Sequence, residues 1–251
     1  MGDEMRILKL PHKDPRTVSR DIPGISEVIF PSLVPGLVTY LNRTSVSLPG
    51  LLALTESDIQ QSQLAKAMLF EISYVMAEKI LRNEKYEIDD CIGEAIQRQS
   101  RFFDATPPKE VTANDLKLIE MTATNLCHGL SYMAEGKEIV IAPVIPGLGW
   151  ISSGVGDFAF SDILVEVKCS NKNFSASDYR QLLFYWLLQY ASVIRTQERK
   201  WTTGILFNPR RNCMVKVDLQ HLYSLVANEK NVVEAIEMLE SLMSPRRRAE
   251  F

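Results

Sequence analysis

Asp157, Glu166 and Lys168 are the residues whose types and spacing point most directly to chemistry. Leu164-Val165-Glu166-Val167-Lys168 reads as a β-strand. A period of two puts Glu166 and Lys168 on one face and Val165 and Val167 on the other. An isolated carboxylate and ammonium would be costly to bury on an inner sheet face, and a metal ion with a bound phosphate would offset that cost. Asp157 lies on the preceding strand across the short Ser161-Asp162 turn, so its carboxylate can sit beside Glu166 across the ladder. Two adjacent carboxylates repel and favour a cation between them. Oxygen ligands with open water positions suit Mg²⁺ or Mn²⁺ better than zinc. A metal held by Asp157, Glu166 and the backbone carbonyl of Val167 would lower the pKa of a bound water and stabilise charge on phosphoryl oxygens. Lys168 would orient the attacking hydroxide or neutralise the developing negative charge.

Downstream, Phe174 to about Ile194 reads as a helix that is apolar almost all round. Gln181 and Tyr185 lie four apart on one of its faces, with Asp178 three before Gln181. A glutamine on the sheet-facing side of such a helix needs a partner. Ser175 and Asp178 read as its N-cap. The set Asp157, Glu166-Val167-Lys168 and Gln181-Leu182-Leu183-Phe184-Tyr185 resembles the PD-(D/E)xK nuclease superfamily, and within it the RecB-like group with its Q-x-x-x-Y helix. The resemblance covers roughly residues 115–217; Gly156 stands where the motif has proline. It implies a restriction-endonuclease-like αβββαβ core, an Mg²⁺- or Mn²⁺-dependent nuclease acting on DNA more than RNA, and Gln181 and Tyr185 as part of the catalytic site. Small stand-alone chains of this type often serve in prokaryotic defence against phage, and the lack of a spanning run or signal-peptide pattern reads as cytoplasmic. The alternative is a catalytically inactive nucleic-acid-binding or scaffold subunit of a larger nuclease or defence complex.

Members of the group add an upstream histidine or glutamate to the metal site, for which His128, Glu120 and Glu94 are the candidates. Others carry a four-cysteine cluster with three cysteines grouped near the C-terminus. Cys91, Cys127, Cys169 and Cys213 are spread far apart, so no Fe–S cluster is expected and buried, reduced thiols are. Pro146 to Gly156 holds four glycines, but it opens a strand and not a helix. This excludes a nucleotide P-loop and suggests close backbone approach at the mouth of the metal site. Lys172, Arg180, Arg195, Arg199, Lys200, Arg210 and Arg211 surround the core in sequence; Lys172 and Arg180 are the expected nucleic-acid contacts.

The elements that must position these residues follow from periodicity and turn signals. Residues 1–54 are punctuated by Pro11, Pro15, Pro23, Pro31, Pro35 and Pro49 and read as an irregular N-terminal region of loops, a short strand or two and a helical turn. From residue 55 the texture is helical: Thr55 caps a helix running from Ile59 to about Arg82, a second spans Asp89–Phe103, and a third runs from Thr112 or Asn114 to about Ala134. Then come strands at Ile139–Ile145, Val155–Phe160 and Ile163–Cys169, the apolar helix, and strands at Trp201–Phe207 and Cys213–Val217. Helices at Leu219–Ala227 and Val232–Met243 follow, and Ser244–Arg248 is a basic tail. The fold class is α/β with a mixed sheet, the core at about 115–217 and extra helices at both ends, in one compact domain whose 55–251 portion holds the helical region and nuclease core.

The bulk properties fit that reading. The hydrophobic fraction of 46% against 24% charged is that of a globular chain and argues against disorder. No apolar run is long enough to span a membrane, and Met1-Gly2-Asp3-Glu4 lacks a signal-peptide pattern. A formal charge of −3 gives no overall attraction to nucleic acid, so any contact must come from a local patch. With no recognisable DNA-reading motif, the N-terminal region is also a candidate docking surface for a protein partner.

Overall fold

The computed structural model describes residues 13–22, 24–100, 108, 110–196 and 201–241. The ends of three expectations lie outside them: residues 101–103 of the second helix, Arg199 and Lys200, and the 244–248 tail, together with the Arg195 side chain. The described residues form helices α1 (Pro15–Asp21), α2 (Ile25–Ile29), α3 (Pro35–Arg43), α4 (Glu56–Gln60), α5 (Lys66–Leu81), α6 (Ile88–Gln99) and α7 (Ala113–Ala134). Strands β1 (Val140–Ile141), β2 (Val144–Ile145), β3 (Gly154–Val155), β4 (Phe158–Phe160) and β5 (Ile163–Val167) follow. The chain then runs through α8 (Ala176–Thr196), β6 (Thr203–Asn208), β7 (Cys213–Asp218), α9 (Leu219–Val226) and α10 (Val232–Ser241). No helix among them is long and apolar enough to cross a membrane.

The architecture is mixed α/β. A five-stranded mixed sheet runs in the order β1-β4-β5-β6-β7, and β2 with β3 makes a separate two-stranded ribbon. β4 and β5 pair antiparallel across the tight Ser161-Asp162 turn, with Phe160 opposite Ile163 and Ser161 at φ 54°. β5 and β6 pair parallel, joined through α8, and β7 returns antiparallel to β6. Parallel neighbours need such a crossover helix. The helix-length apolar stretch between two short strand patterns already demanded one.

Period-two alternation divides the core into two layers. Leu164, Leu206, Val215 and Val217 face one way, into a cluster with α1, α2, α8, α9 and α10. Phe158, Phe160, Val165, Val167, Ile205 and Phe207 face the other way, against α5 and α7. Helices on both faces leave the β5 and β6 backbone sealed from water, which is why both strands read as near-continuous apolar runs.

Four expectations on element boundaries are corrected. Among its described residues, the proline-rich N-terminal region holds three helices where a single helical turn is expected, with loops between and after them and no strand beyond isolated bridges at Lys13 and Val46. Pro15 and Pro35 sit at the first helical positions, where a missing N–H costs nothing, and the Asp14 carboxylate caps α1 by accepting from Thr17 N at 3.0 Å. The helix expected over Ile59–Arg82 is broken into α4 and α5. The cause is tertiary: Asp115 Oδ1, on α7, accepts from Ser62 Oγ at 2.5 Å and from the Gln63 N–H at 3.1 Å, which holds the chain out of helical geometry. The strand expected over Ile139–Ile145 is split between two sheets at Ala142, whose φ of 52° turns the backbone before Pro143. The strand expected over Val155–Phe160 is likewise split, Val155 pairing in β3 and Phe158 onward in β4, so Asp157 lies in the bend between them and not on a strand.

The sheet and α8 approach unusually closely at Gly204 on β6. A Cβ there would lie 2.5 Å from Leu182 Cδ2 and 2.8 Å from Leu219 Cδ2, both fully buried. Replacing Gly204 with alanine should therefore destabilise the fold by about 1–3 kcal/mol through overpacking, read as a lower urea midpoint at unchanged m-value. Equal or greater stability in Gly204→Ala would show that the two layers have slack the packing denies.

Candidate active site

The candidate site forms at the C-terminal end of β5, where the parallel pair opens between the two helical layers. The Lys168 N–H continues the ladder to Phe207 O at 2.8 Å, so Glu166, Val167 and Lys168 are held as strand up to the last residue. β4 begins one residue after Asp157. The Asp157 carbonyl accepts from the Ala142 N–H at 3.0 Å, and its Oδ2 accepts from the Val167 N–H at 2.7 Å. The aspartate thus substitutes for a ladder partner at the point where the β4–β5 pairing ends. That bond fixes its carboxylate next to the Glu166-Val167-Lys168 segment.

Glu166 is 1% exposed. Its Oε2 accepts from Gln181 Nε2 at 2.7 Å and from Lys168 Nζ at 3.2 Å, while its Oε1 is buried without a hydrogen-bond partner. Gln181 Oε1 accepts from Lys168 Nζ at 2.9 Å and from Arg20 Nη1 at 3.0 Å, and its Nε2 also donates to Tyr185 Oη at 3.0 Å. Lys and Arg can only donate and a carboxylate accepts, so the orientation of the amide follows from its neighbours. The structure therefore brings Asp157, Glu166, Val167, Lys168, Gln181 and Tyr185 together. Burial pushes the Glu166 carboxyl up to about 8, and the Asp157 carboxylate adds to the shift; Lys168 and Arg16 only partly offset it. Burial likewise raises the Tyr185 hydroxyl, with the Glu166 charge as a second cause.

The remaining candidates lie elsewhere. Lys172 is exposed, and Arg180 is held by Glu27 Oε1 at 3.2 Å. Arg210 is buried and paired with Glu56, and Arg211 Nη1 donates to Asn173 Oδ1 at 2.9 Å. His128 and Glu120 are on the exposed side of α7. Glu94 is tied to Lys79 at 3.1 Å and to Arg98 at 2.6 Å. None of the three is shown joining the site. Cys91 and Cys127 are buried, but Cys169 and Cys213 are only half-buried. The close approaches of the glycine-rich segment are to the Pro15 ring at Gly154 and to its own chain at Gly147, not to the candidate site residues.

The residues that sequence reasoning missed come from α1 and α5. Arg20 reaches Gln181, and Arg16, one turn earlier, acts electrostatically on Glu166. On α5, burial raises the Glu71 carboxyl, with Arg98 opposing and Glu78 and Asp157 adding to it. Burial raises the Tyr74 hydroxyl well above its ordinary value, and the Asp157, Glu78 and Glu166 charges reinforce the shift. Signals existed for both helices. Asp14-Pro15 is a cap followed by an N1 proline, and Glu71 is a carboxylate inside the apolar run Met68–Met76, the same anomaly that marks Gln181.

No protein-family model matches the chain, and no match was found among curated proteins or solved structures. The residues themselves must therefore carry the argument. A cation fits the carboxylates on one observation, the buried and unpartnered Glu166 Oε1 beside a second carboxylate. Among the described residues no three His, Cys, Asp or Glu side chains cluster as a metal cage. A bound ion would have two carboxylate ligands and fill its shell with water, backbone and substrate oxygens. That set suits magnesium, which keeps several waters.

The buried glutamate has a measurable consequence without any metal. Its folded pKa lies above the ordinary 4.5, so the folded state holds the proton more tightly. The associated stability is full below about 4.5 and is lost as the pH rises through about 8. In chelator, wild-type stability should fall from about pH 5 to about pH 9, with a shallower fall in Glu166→Gln and a more stable variant at the alkaline end. Parallel profiles in the two proteins would refute the costly burial of this carboxylate.

Proposed function

We propose that this chain is a divalent-metal-dependent nuclease with a restriction-endonuclease-like core, hydrolysing phosphodiester bonds in DNA and serving in defence against foreign nucleic acid. One observation carries the reading: a buried carboxylate, a lysine and an inward glutamine share one hydrogen-bonded cluster facing a second carboxylate, with one carboxylate oxygen left unpartnered. The order β1, β4, β5, crossover helix α8, parallel β6 supports the core assignment.

Asp157 and Glu166 would hold the cation, with the Val167 carbonyl beside them. When bound, a magnesium or manganese ion would supply water activation and charge neutralisation at the phosphoryl oxygens. Lys168 carries its ammonium between the Glu166 carboxylate and the Gln181 amide oxygen, at 3.2 and 2.9 Å. It has a third N–H to offer a nonbridging oxygen or the attacking water. Gln181 holds both the lysine and the glutamate, so neither must reorganise when charge develops. Tyr185 steadies the amide from behind, within the apolar body of α8.

Substrate must enter from the open side, because α8 and the sheet seal the other. Arg16 is exposed on α1, and its charge reaches Glu166 and Glu71. It can meet a backbone phosphate there, with exposed Lys172 as a second contact. These few cations supply the local patch that a chain of net charge −3 requires.

Linear, circular and single-stranded DNA, and RNA, incubated with and without Mg²⁺ or Mn²⁺, test the reading. Wild type should cleave only with metal, and Asp157→Ala and Lys168→Ala should each lose roughly a hundredfold or more in rate. Mg²⁺ should also raise the unfolding midpoint of wild type but not of Asp157→Ala. Unchanged cleavage in both variants would remove the site assignment. No cleavage of any substrate by wild type would leave the chain as a binding subunit.

A further inference from the structure

All four hydrogen-bonding positions of the Gln181 amide are engaged, and one partner comes from outside the sheet and its crossover helix. Arg20 Nη1, on α1, donates to Gln181 Oε1 at 3.0 Å and to Asp178 Oδ1 at 3.1 Å. We propose that Arg20 is a positioning residue of the active site. Anchored on Asp178, it locks the Gln181 amide so that the NH₂ faces Glu166 and the oxygen holds Lys168. The inference deepens the nuclease reading and rests on it for its kinetic consequence alone.

A carboxamide can turn over and exchange its oxygen for its NH₂ at little intrinsic cost. Turned over, Gln181 would set its oxygen against the Glu166 carboxylate and its NH₂ against Lys168. The lysine alone opposes this weakly, because a flexible four-carbon stem lets its ammonium swing aside. Arg20 does not yield in that way. Its guanidinium is permanently charged, has no acceptor atom, and is fixed by Asp178. Asp178 is fixed in turn, since its Oδ2 accepts from the Ser175 N–H at 2.7 Å and from Ser175 Oγ at 2.8 Å.

The helix that carries Arg20 is seated just as firmly. The Lys13 N–H donates to Trp150 O at 3.4 Å, and the Ser152 N–H donates to Lys13 O at 3.0 Å. Trp150 Nε1 ties the same loop to Leu239 O on α10 at 3.1 Å, and Pro15 lies against Gly154 where a side chain would not fit. Val18 and Ser19 are buried between α1 and its neighbours. The glycine-rich segment therefore acts on the site at one remove: it seats α1, α1 aims Arg20, and Arg20 sets the amide.

Arg20→Met keeps the aliphatic stem and removes the donors; Arg20→Lys keeps one charged donor. In wild type the Gln181 side-chain amide protons should give a sharp, slowly exchanging NMR pair. Arg20→Met should shift or broaden that pair while the backbone spectrum of the core is retained. On cleaved DNA its kcat should fall roughly tenfold to a hundredfold, with KM within about twofold of wild type, and Arg20→Lys should recover part of the loss. Unchanged Gln181 resonances with unchanged kcat would overturn the proposal, as would a raised KM at constant kcat, which would make Arg20 a direct substrate contact. Should wild type cleave no nucleic acid, the nuclease reading falls, while the amide resonances still decide whether Arg20 positions Gln181.

Discussion

A carboxylate placed out of reach of water at the end of β5 is the constraint around which the rest of the molecule is arranged. Glu166 cannot be solvated there, and an isolated buried charge would cost several kcal/mol. Two donors answer it, the Lys168 ammonium and the Gln181 amide, and both converge on the same oxygen. The amide is the more demanding partner because it must present one end to an anion and the other to cations. Its direction has to be imposed from outside, and that requirement ties together elements far apart in the chain: β5, α8 and, through Arg20, α1.

The supporting layers follow from the same requirement. α8 is apolar on nearly every side because it is the wall between the site and the core formed with α9 and α10, and Asp178, Arg180 and Gln181 near its start are where it meets charged groups. On the opposite layer, α5 brings Glu71 towards Asp157 and Glu78 into a cluster in which Arg98 is 2.6 Å from Glu78 and 2.6 Å from Glu94. Glu78, 3% exposed, is compensated by that arginine. Glu71 is compensated less well, at 3.7 Å from Arg98. The Glu71, Asp157 and Glu166 carboxylates thus act on one another from both layers, with Arg16 on α1 as a counterweight.

What the sequence made legible and what it hid divide on physical lines. Strand faces, the β4–β5 turn, the crossover helix and the caps at Thr55, Thr112 and Ser175 are set by neighbours within a few residues, and each could be read. The break between α4 and α5 could not, because its cause is the Asp115 carboxylate on α7 taking the place of helical partners at Ser62 and Gln63. The split between β1 and β2 depends on Ala142 adopting a conformation that alanine rarely takes, a cost met only once both sheets are in place. At the site, Asp157, Glu166, Lys168 and Gln181 stood out as polar residues in apolar surroundings. Arg20 did not, since an arginine on a short helix in a proline-rich stretch is ordinary until the partner of Gln181 is known. Glu71 carries the same anomaly as Gln181, but its neighbours Arg98 and Asp157 lie on other elements, so nothing local to α5 names its partners.

Buried charge clusters are weak evidence for stability, since well-packed apolar residues of similar size often do as well or better. By that measure, the end of β5 is a poor piece of folding design. One oxygen of Glu166 is unpartnered, and a second carboxylate stands beside it. Elsewhere Tyr179 Oη, Asn114 Nδ2, Arg180 Nε and Arg210 Nε are also buried without partners, but none of these is an anion, and other buried amides are well tied. Asn212 ties its amide to Leu48 and Leu51, and Asn125 spans Leu52 and Pro209. The shortfall at Glu166 is specific in kind, because the unpartnered atom is a carboxylate oxygen with a second carboxylate nearby: what is missing is positive charge. On the nuclease reading proposed above, a divalent cation would supply that charge and take up the spare oxygen, and Lys168 would meet an oxygen of the anion bound with it.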